Sequence, residues 1–154
     1  MIARTVVAAL AVSFVAGCAS TPVSLNDNAI VPGERIGDVK IGMPLASLLS
    51  VKGSPIDTAP IPDTDATTYG YPGLVVAARD EVYWIIARDA RFHTAAGVSP
   101  GDSQIAARAA AGKPNCVVTK PIVTVYDYGT YYFTVNNATA LVTEVGVMHK
   151  TQNC

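Results

Sequence analysis

Charge is sparse in this sequence of 154 residues, and positive charge is not clustered. Its 11 Lys and Arg residues face 12 Asp and Glu residues, which gives a formal net charge of −1. A nucleic-acid-binding surface needs clustered Lys and Arg, and the chain contains no basic run. The composition therefore predicts no nucleic acid as a partner.

Motifs for metal or redox chemistry are also missing. The chain has three cysteines and two histidines, it contains no Cys-x-x-Cys, and His93 and His149 stand at no ligand spacing. Asp63 and Asp65 have the alternate spacing found in calcium loops, but the third ligand, the turn glycine and the closing Glu are absent. We expect a solvated loop there, with no metal and no cofactor.

No apolar run is long enough to span a bilayer. Residues 5–15, TVVAALAVSFV, are uncharged and follow Arg4, but they are eleven residues where a spanning helix needs roughly 20. A basic start, a short apolar region and the small residues Ala16 and Gly17 are typical of a secretory signal. We expect residues 1–17 to be a leader.

The leader ends at Val15-Ala16-Gly17-Cys18, which resembles the lipobox of bacterial lipoproteins. The resemblance implies that a diacylglyceryl group is attached to the Cys18 sulfur and that cleavage occurs before Cys18. Two or more acyl chains give stable membrane anchoring, whereas one chain is marginal. By the same resemblance, Ala19 in place of Asp favours the outer membrane, with the protein facing the periplasm. The alternative is a plain secreted protein in which Cys18 is incidental.

Two cysteines remain, Cys116 and Cys154. In an oxidising compartment such cysteines form persistent disulfides. We expect them to pair, and closing a loop of about 39 residues stabilises a fold by roughly 3 to 4 kcal/mol in the chain-entropy model. The alternative, a metal or redox role, lacks a supporting motif.

Residues 18–33 are rich in Pro, Ser, Asn, Asp and Gly and show no apolar period. This composition is typical of a flexible segment, with an expected span on the order of 20 Å. We therefore predict a lipidated tether over residues 18–33, followed by one domain over residues 34–154.

An internal repeat is the strongest signal in that domain. VKIGMPLASLLSVKGSP, residues 39–55, aligns without a gap over VSPGDSQIAARAAAGKP, residues 98–114, at an offset of 59 residues. In each copy a glycine turn precedes a helix-competent segment that ends in Gly-x-Pro, and this pattern is typical of a helix C-terminus. In the second copy we expect Asp102 to cap a helix, with Ile105, Ala106 and Ala109 facing inward; a start at Ser99 is the alternative.

After each helix, β-branched and alternating residues predict three strands joined by tight turns. The breaks fall at Pro72-Gly73 and residues 79–81 in the first copy and near Gly129 and Asn137 in the second. The sequence thus predicts an α+β fold of two tandem β-α-β-β-β repeats, about residues 34–90 and 91–154. We expect an antiparallel sheet with two short helices on one face.

Gly42-Met43, a short apolar helix, Gly53-x-Pro55 and a three-stranded meander resemble the BamE/SmpA type of outer-membrane lipoprotein. Two copies in tandem resemble the architecture of the β-lactamase inhibitor protein. The first resemblance implies a role in outer-membrane protein assembly, and the second implies inhibition of a hydrolase. In the second copy Asp102 replaces Met43.

GVSPG, residues 97–101, fits the G-x-S-x-G pattern of a nucleophile elbow, and Asp127 and His149 follow Ser99 in the order seen in α/β-hydrolases. The residue after the nucleophile must donate its backbone N–H to the oxyanion. Here that residue is Pro100, which has no N–H. We expect a structural turn and no catalytic residue.

Tyrosines supply the candidate binding surface. Tyr69 and Tyr71 share one face of their strand, and Tyr126 and Tyr128 share one face of theirs, because strand side chains alternate. If the helices cover one face of the sheet, aromatic residues on the other would form a protein interface. The alternative is that these side chains pack in the core and in cross-strand pairs.

The sequence therefore predicts a membrane-anchored envelope lipoprotein that is not an enzyme and binds another envelope protein. The alternative is an inhibitor-type module that binds a secreted hydrolase. A small hydrolase is the least favoured possibility.

Overall fold

The computed structural model describes residues 27–151 and residue 154. Cys18, the predicted leader and residues 18–26 of the predicted tether lie outside these residues. Among the described residues, none of the helices combines the length and apolar composition needed to cross a bilayer.

The fold is α+β, with two short helices and two sheets in which all strand pairs but one are antiparallel. The helices are α1 (Leu45–Lys52) and α2 (Gln104–Ala111). A small sheet has the order β3-β2-β1-β8. Its strands are β1 (Ala29–Val31), β2 (Arg35–Ile36), β3 (Val39–Lys40) and β8 (His93–Thr94). Strands β1 and β8 form the parallel pair.

The second sheet has eight strands in the order β4-β5-β6-β7-β12-β11-β10-β9. They are β4 (Asp57–Pro60), β5 (Thr67–Tyr71), β6 (Leu74–Ala78), β7 (Val82–Ala87), β9 (Cys116–Thr119), β10 (Val123–Asp127), β11 (Tyr131–Asn136) and β12 (Val142–Met148). Strands β7 and β12 join the part of the sheet formed by residues 34–90, the first half, to the part formed by residues 91–154, the second half.

Matching hydrogen bonds hold the start of each helix against the sheet. In both halves the N–H of the turn glycine donates to the carbonyl of the first residue of a central strand, and the N–H of that strand residue donates to the carbonyl of the residue after the glycine. The N–H of the first helical residue donates to a carbonyl in the turn that precedes the central strand. The donor–acceptor pairs are Gly42–Val82, Val82–Met43 and Leu45–Asp80 in the first half, and Gly101–Val142, Val142–Asp102 and Gln104–Ala140 in the second, all between 2.7 and 2.9 Å.

Both helices end as the Gly-x-Pro pattern predicts. Gly53 and Gly112 follow α1 and α2 with φ near +76°, and each N–H donates to a carbonyl of the last helical turn. With ψ beyond −150°, this is a conformation that essentially only glycine adopts at low cost. The two helices thus stop for the same local reason.

The orientation predicted for α2 is wrong. Ser103, and not Asp102, is the N-cap, and its hydroxyl accepts from the Ala106 N–H at 3.2 Å. Asp102 instead accepts from the Ser99 N–H. Ala107 is the buried residue of α2, while Ile105 is 83% exposed and Ala106 and Ala109 are exposed.

The strand count also differs from the prediction, because four strands follow each helix in place of three. The additional strands are β4 and β9, which form the two edges of the eight-stranded sheet. Strands β3 and β8, which precede the helices, belong to the small sheet. Strand β1 lies within the predicted tether, so residues before 34 contribute to the small sheet.

One face of the large sheet forms the main core. By strand register, Val76, Ile85, Val145 and Phe133 point to this face, and they pack with Leu48 and Ala107 of the helices and with Ile30, Ile36 and Val39 of the small sheet. We call this the helix side and the opposite face the helix-free side. Every strand residue of the large sheet within this core cluster lies on the helix side.

Candidate functional site

The four tyrosines of the predicted surface lie on the helix side. Tyr69 pairs with Val76 and Tyr126 with Phe133, so both point into the core layer. Tyr71 and Tyr126 are 7% and 4% exposed, and Tyr69 and Tyr128 are half-buried against the core cluster. Burial raises the pKa of Tyr71 and Tyr128. The predicted placement of these residues is therefore corrected, since they have the packing role that was the alternative.

The helix-free side carries one row of residues that crosses all eight strands. Its central members are apolar, aromatic or glycine, and polar residues stand toward the edges. Following the strand order, the row is Asp57, Gly70, Val75, Ile86, Gly146, Tyr132, Asp127 and Cys116. An antiparallel sheet with a solvated face usually presents polar residues there, so this composition needs an explanation.

A tryptophan and a tyrosine meet at the centre of the helix-free side. The Trp84 indole Nε1 donates to the Tyr132 hydroxyl at 3.1 Å, and the ring centroids are 6.4 Å apart. Tyr132 lies across Gly146, where an added Cβ would stand 2.2 Å from a ring carbon. Glycine at this position is what lets the ring lie flat on β12. The pair is therefore held in one geometry.

Apolar residues surround this pair. Ala77, Ile86 and Val125 are almost completely buried, although they lie outside the main core cluster. Met148 pairs with Trp84 across β7 and β12 and is half-buried. Burial of Tyr132, with a further contribution from the charge of Glu144, raises the pKa of its phenol. The helix-free side thus carries a thin second apolar layer.

An ion pair borders this layer. Arg88 Nε lies 3.2 Å from Glu144 Oε2, and Glu144 stands beside Thr134 in the strand register. The arginine side chain is more than half exposed, so the pair contributes little to stability by itself. It places charge next to the aromatic centre, as the polar rim of a protein interface does.

The C-terminal segment closes one edge of the same face. The Thr151 hydroxyl donates to Asp127 Oδ1 at 2.6 Å, and the Gly129 N–H donates to the same oxygen. Cys154 forms a disulfide with Cys116, as the sequence predicted. Asp127 is fully buried, and these contacts give its carboxylate hydrogen-bond donors.

The residues considered for catalysis and for calcium binding lie in turns and loops. Ser99 lies in the turn before α2, where its N–H donates to Asp102, and His149 is exposed. Asp63 is exposed in the loop after β4, and Asp65 pairs with Arg79 at 2.5 Å. Among residues 27–151 and 154, no group of three His, Cys, Asp or Glu side chains is arranged to hold a metal ion.

Neither Trp84 nor Tyr132 is among the site residues predicted from the sequence. The sequence signal that could have found Tyr132 is the turn at Gly129, because this turn sets Tyr132 opposite Asp127 and therefore on the same face as Asp127. Irregular pairing at Ala77/Ala78 and Thr134/Val135 breaks the alternation in neighbouring strands. The face on which each aromatic residue lies could not be read from period 2 alone.

Comparison with known proteins gives similarity of fold only. No family model matches the chain, and no curated protein matches it. A cysteine-rich secretory protein of Staphylococcus aureus is similar in structure over 80% of this chain, with a TM-score of 0.52 and 16% identity. The chain spans about half the length of that protein, 49%. A DUF4309 family protein of Bacillus subtilis, YjgB, matches over 77% of this chain and 88% of its own length, with a TM-score of 0.52 and 17% identity.

Proposed function

We propose that this chain is an envelope lipoprotein, anchored through Cys18 to the outer membrane and facing the periplasm, that binds another protein and is not an enzyme. The lipobox-like residues 15–18 support the anchor. The observation that carries the binding role is the helix-free side, where Trp84 and Tyr132 stand in a fixed hydrogen-bonded pair amid apolar neighbours.

Preorganisation makes this face suited to binding. Tyr and Trp provide large contact areas and are enriched at the centres of protein interfaces. Tyr132 is 5% exposed and its hydroxyl accepts from the half-buried Trp84, so the Trp84 ring is already held in place and loses little side-chain entropy when a partner covers it. A partner that covers Trp84, Val75 and Met148 would remove their remaining apolar surface from water.

We also propose that the two halves are tandem copies of one unit, related to the BamE/SmpA type. The support is the matched hydrogen bonds at both helix starts and the matched glycine ends. Each unit would then consist of the predicted repeat with one more edge strand, β4 or β9. The helix-free side is built from both units.

The anchor is tested by Cys18→Ser. We expect this variant to lose membrane fractionation and the incorporation of labelled fatty acid, because the thioether-forming sulfur is gone. Cys116→Ser is the matched control and should remain in the membrane fraction. A Cys18→Ser protein that stays membrane-bound, or a native product with an unmodified thiol by mass spectrometry, would contradict the proposal.

The binding face is tested by photocrosslinking in intact cells. Ala59 and Thr58 are adjacent, exposed residues of β4 that point to the helix-free and the helix side respectively. A photoreactive amino acid at position 59 should give a discrete adduct with an envelope protein, and the same group at position 58 should not. Trp84→Ala should weaken the adduct at position 59. Equal adducts at both positions, or no adduct at position 59, would refute the proposal that the helix-free side binds a partner.

The same face serves the second candidate, a hydrolase inhibitor. The favouring observation is that its apolar row continues across β7 and β12, so both halves contribute to one surface. If the crosslinked protein is a secreted hydrolase whose activity falls on binding, the inhibitor function is correct and the assembly role is not.

A further inference from the structure

The chain that follows β12 is tied to the large sheet at two points. The Thr151 N–H donates to the Gly129 carbonyl at 2.8 Å, and the Thr151 hydroxyl donates to Asp127 Oδ1. Cys154 is bonded to Cys116, the first residue of β9. We call the described residues after β12 the C-terminal strap: 149–151 and Cys154. The strap lies beside the helix-free side, because Asp127 and Cys116 are the last two residues of the row that crosses that face.

Direct neighbours connect the strap to both rings of the aromatic pair. Asp127, which accepts from Thr151, stands opposite Tyr132 in the register of β10 and β11. Met148, the last residue before the strap, stands opposite Trp84 in the register of β12 and β7. The Trp84 indole in turn donates to the Tyr132 hydroxyl. The position of the strap is therefore coupled to the residues on which the proposed binding role depends.

Charge also links Asp127 to the pair. Asp127 is fully buried, and both the Thr151 hydroxyl and the Gly129 N–H donate to its Oδ1. Burial raises the pKa of the Tyr132 phenol, and the charges of Glu144 and Asp127 add to this effect. A buried carboxylate is costly unless hydrogen bonds compensate for the lost water. Departure of Thr151 would thus remove a donor from a charge that acts on Tyr132.

The fold itself does not require this arrangement. In the first half, Asp57 and Gly70 pair across β4 and β5. Cys116 and Asp127 pair in the same way across β9 and β10. The first half therefore has neither a sulfur nor a buried carboxylate at these places, and it still forms the matching strands. The strap and its acidic contact are additions to the second half.

The disulfide supplies most of the hold on the strap. Among the described residues, the hydrogen bonds of the strap all come from Thr151, and His149 and Lys150 are exposed. The hydrogen bonds of one residue are few against the conformational entropy that is lost when a chain terminus becomes ordered. We therefore expect the strap to leave the sheet when the sulfur–sulfur bond is broken.

We infer that the C-terminal strap is a redox-controlled latch on the helix-free side, which binds its partner while the disulfide holds the strap and loses affinity when the disulfide is reduced. This regulation rests on the binding function proposed above. Reduction removes the Thr151 donor from Asp127 and the constraint on the chain that follows Met148, so each ring of the pair loses a fixed surrounding. The main core lies on the helix side and keeps the domain folded.

The reductant is a protein dithiol, which exchanges with disulfides through a mixed disulfide. One of its thiolates attacks the sulfur of Cys154, which is exposed, whereas Cys116 is half-buried. The bond between the two cysteines breaks, and its electron pair leaves on the Cys116 sulfur, which takes up a proton. The second thiolate of the dithiol then displaces Cys154, which is protonated to a thiol. The dithiol has become a disulfide.

The first test follows the strap and the aromatic pair by NMR. It uses residues 18–154 with Cys18→Ser, so that Cys116 and Cys154 are the only cysteines. Trp84 is the single tryptophan of the chain, and its indole N–H therefore gives one resonance. We expect dithiothreitol to shift this resonance and to move the Thr151 amide to the position of an unstructured chain, while the far-UV circular dichroism stays unchanged. Reoxidation should restore both resonances.

Two variants separate the latch from a general loss of stability. Thr151→Val keeps the disulfide but removes the hydroxyl that donates to Asp127, and it should move the Trp84 resonance toward its position in the reduced protein. This variant decides the question if the reduced domain unfolds. Thr119→Val, at an exposed position of β9, is the matched control and should leave the Trp84 resonance in place.

Two outcomes of the NMR test contradict the inference. One is a Thr151 amide that stays in its native position after reduction, because the strap would then be held without the disulfide. The other is a Trp84 resonance that does not move when the strap is released from a folded domain or, if the reduced domain unfolds, when Thr151 is replaced by Val.

The second test measures binding through the photocrosslink at position 59. Replacing both Cys116 and Cys154 by Ser should lower the yield of the adduct roughly fivefold or more, which is the lower end of typical coupling between two sites. Thr119→Val should leave the yield unchanged. An equal yield from the double Ser variant would overturn the regulation and leave the binding function standing. No adduct from either form would refute the binding function and, with it, the regulation.

Discussion

The two halves of the molecule share a backbone framework and differ in what they present to water. Glu81 and Leu141 hold the same place, because each pairs with the residue before a helix, Pro44 or Ser103. One is a charge and the other an exposed aliphatic side chain.

The two halves also differ in net charge. Residues 34–90 contain eight Asp and Glu against five Lys and Arg, whereas residues 91–154 contain three against five. The halves are therefore about −3 and +2 at neutral pH if histidine is neutral. The two halves have the same backbone hydrogen bonds and turn glycines at their helices but different surfaces. Differences between matched positions thus mark surface chemistry that the fold does not dictate, and the following measurements test that comparison.

The largest expected effect comes from the covalent link that only the second half possesses. Replacing Cys116 and Cys154 by Ser should lower the free energy of unfolding by about 4 kcal/mol, because the disulfide closes a loop with a sequence separation of 38. Urea unfolding measures the change. Asp57→Ser, at the position matched to Cys116, should change the free energy by less than about 0.5 kcal/mol. A loss below about 1 kcal/mol for the double variant would show that the Thr151 contact alone keeps the segment docked.

The next effect compares the buried residue of each helix. Leu48 and Ala107 correspond at the offset of 59 and are both completely or almost completely buried. Leu48→Ala should cost about 2 to 5 kcal/mol because it removes core volume and leaves a cavity. Ala107→Gly should cost about 1 kcal/mol, mainly through backbone entropy. Denaturant titration of both variants gives the difference, and equal losses would contradict the larger contribution of the α1 side chain to the core.

The two helix-ending glycines should behave alike. Gly53 and Gly112 have the same φ, and an added Cβ at either position meets nothing within 4 Å. Alanine should therefore cost about 1 to 3 kcal/mol at each site from backbone conformation alone, with the two losses agreeing to about 0.5 kcal/mol. Thermal and urea unfolding of the single variants provide the values. A clear inequality would show that one helix end is held by contacts that the other lacks.

The smallest effect lies at the start of the described chain, which has no counterpart in the second half. The hydrogen bonds from Arg35 lower the pKa of Asp27 from 3.8 to about 2. Because the folded pKa is depressed, the contribution of this exposed pair is present above about pH 3.8 and is lost as the pH falls through about 2. An NMR titration of the Asp27 carboxyl group should show the lowered pKa. In Asp27→Asn, the Arg35 resonances should no longer respond over this range.

Local rules predicted much of this architecture. The Gly-x-Pro patterns at residues 53–55 and 112–114 gave both helix ends, and the alternation of β-branched residues gave six of the eight strands of the large sheet. The Cys116–Cys154 disulfide was predicted from the oxidising compartment that we expect and from the two cysteines that remain besides Cys18. Each of these depends on a few neighbouring residues or on chemistry that does not require knowledge of tertiary contacts.

Edge strand β4 could not be predicted in this way. Its residues Asp57–Pro60 are all exposed and end in proline, so they carry no apolar period. They become a strand because β5 supplies hydrogen-bonding partners. A long-range pairing of this kind is absent from any local pattern.

The face of the sheet on which the tyrosines lie could not be predicted from the sequence either. Period 2 shows that Tyr126 and Tyr128 share a face, but it does not show which face meets the helices. That choice depends on Leu48 and Ala107 packing against the sheet. The anchor at Cys18 and the identity of a binding partner stay predictions.

The disulfide also decides how tension would pass through the protein. A pull between the N-terminal side and Cys154 would travel through the sulfur–sulfur bond to Cys116 and bypass the loop between them, which contains β9 after Cys116 and the whole of β10, β11 and β12. The covalent chain of this loop would bear no load, and in a single-molecule extension trace roughly 130 Å of contour length would stay hidden until a reductant is added. Mechanical unfolding would then begin in the first half, where no covalent bypass joins the described strands.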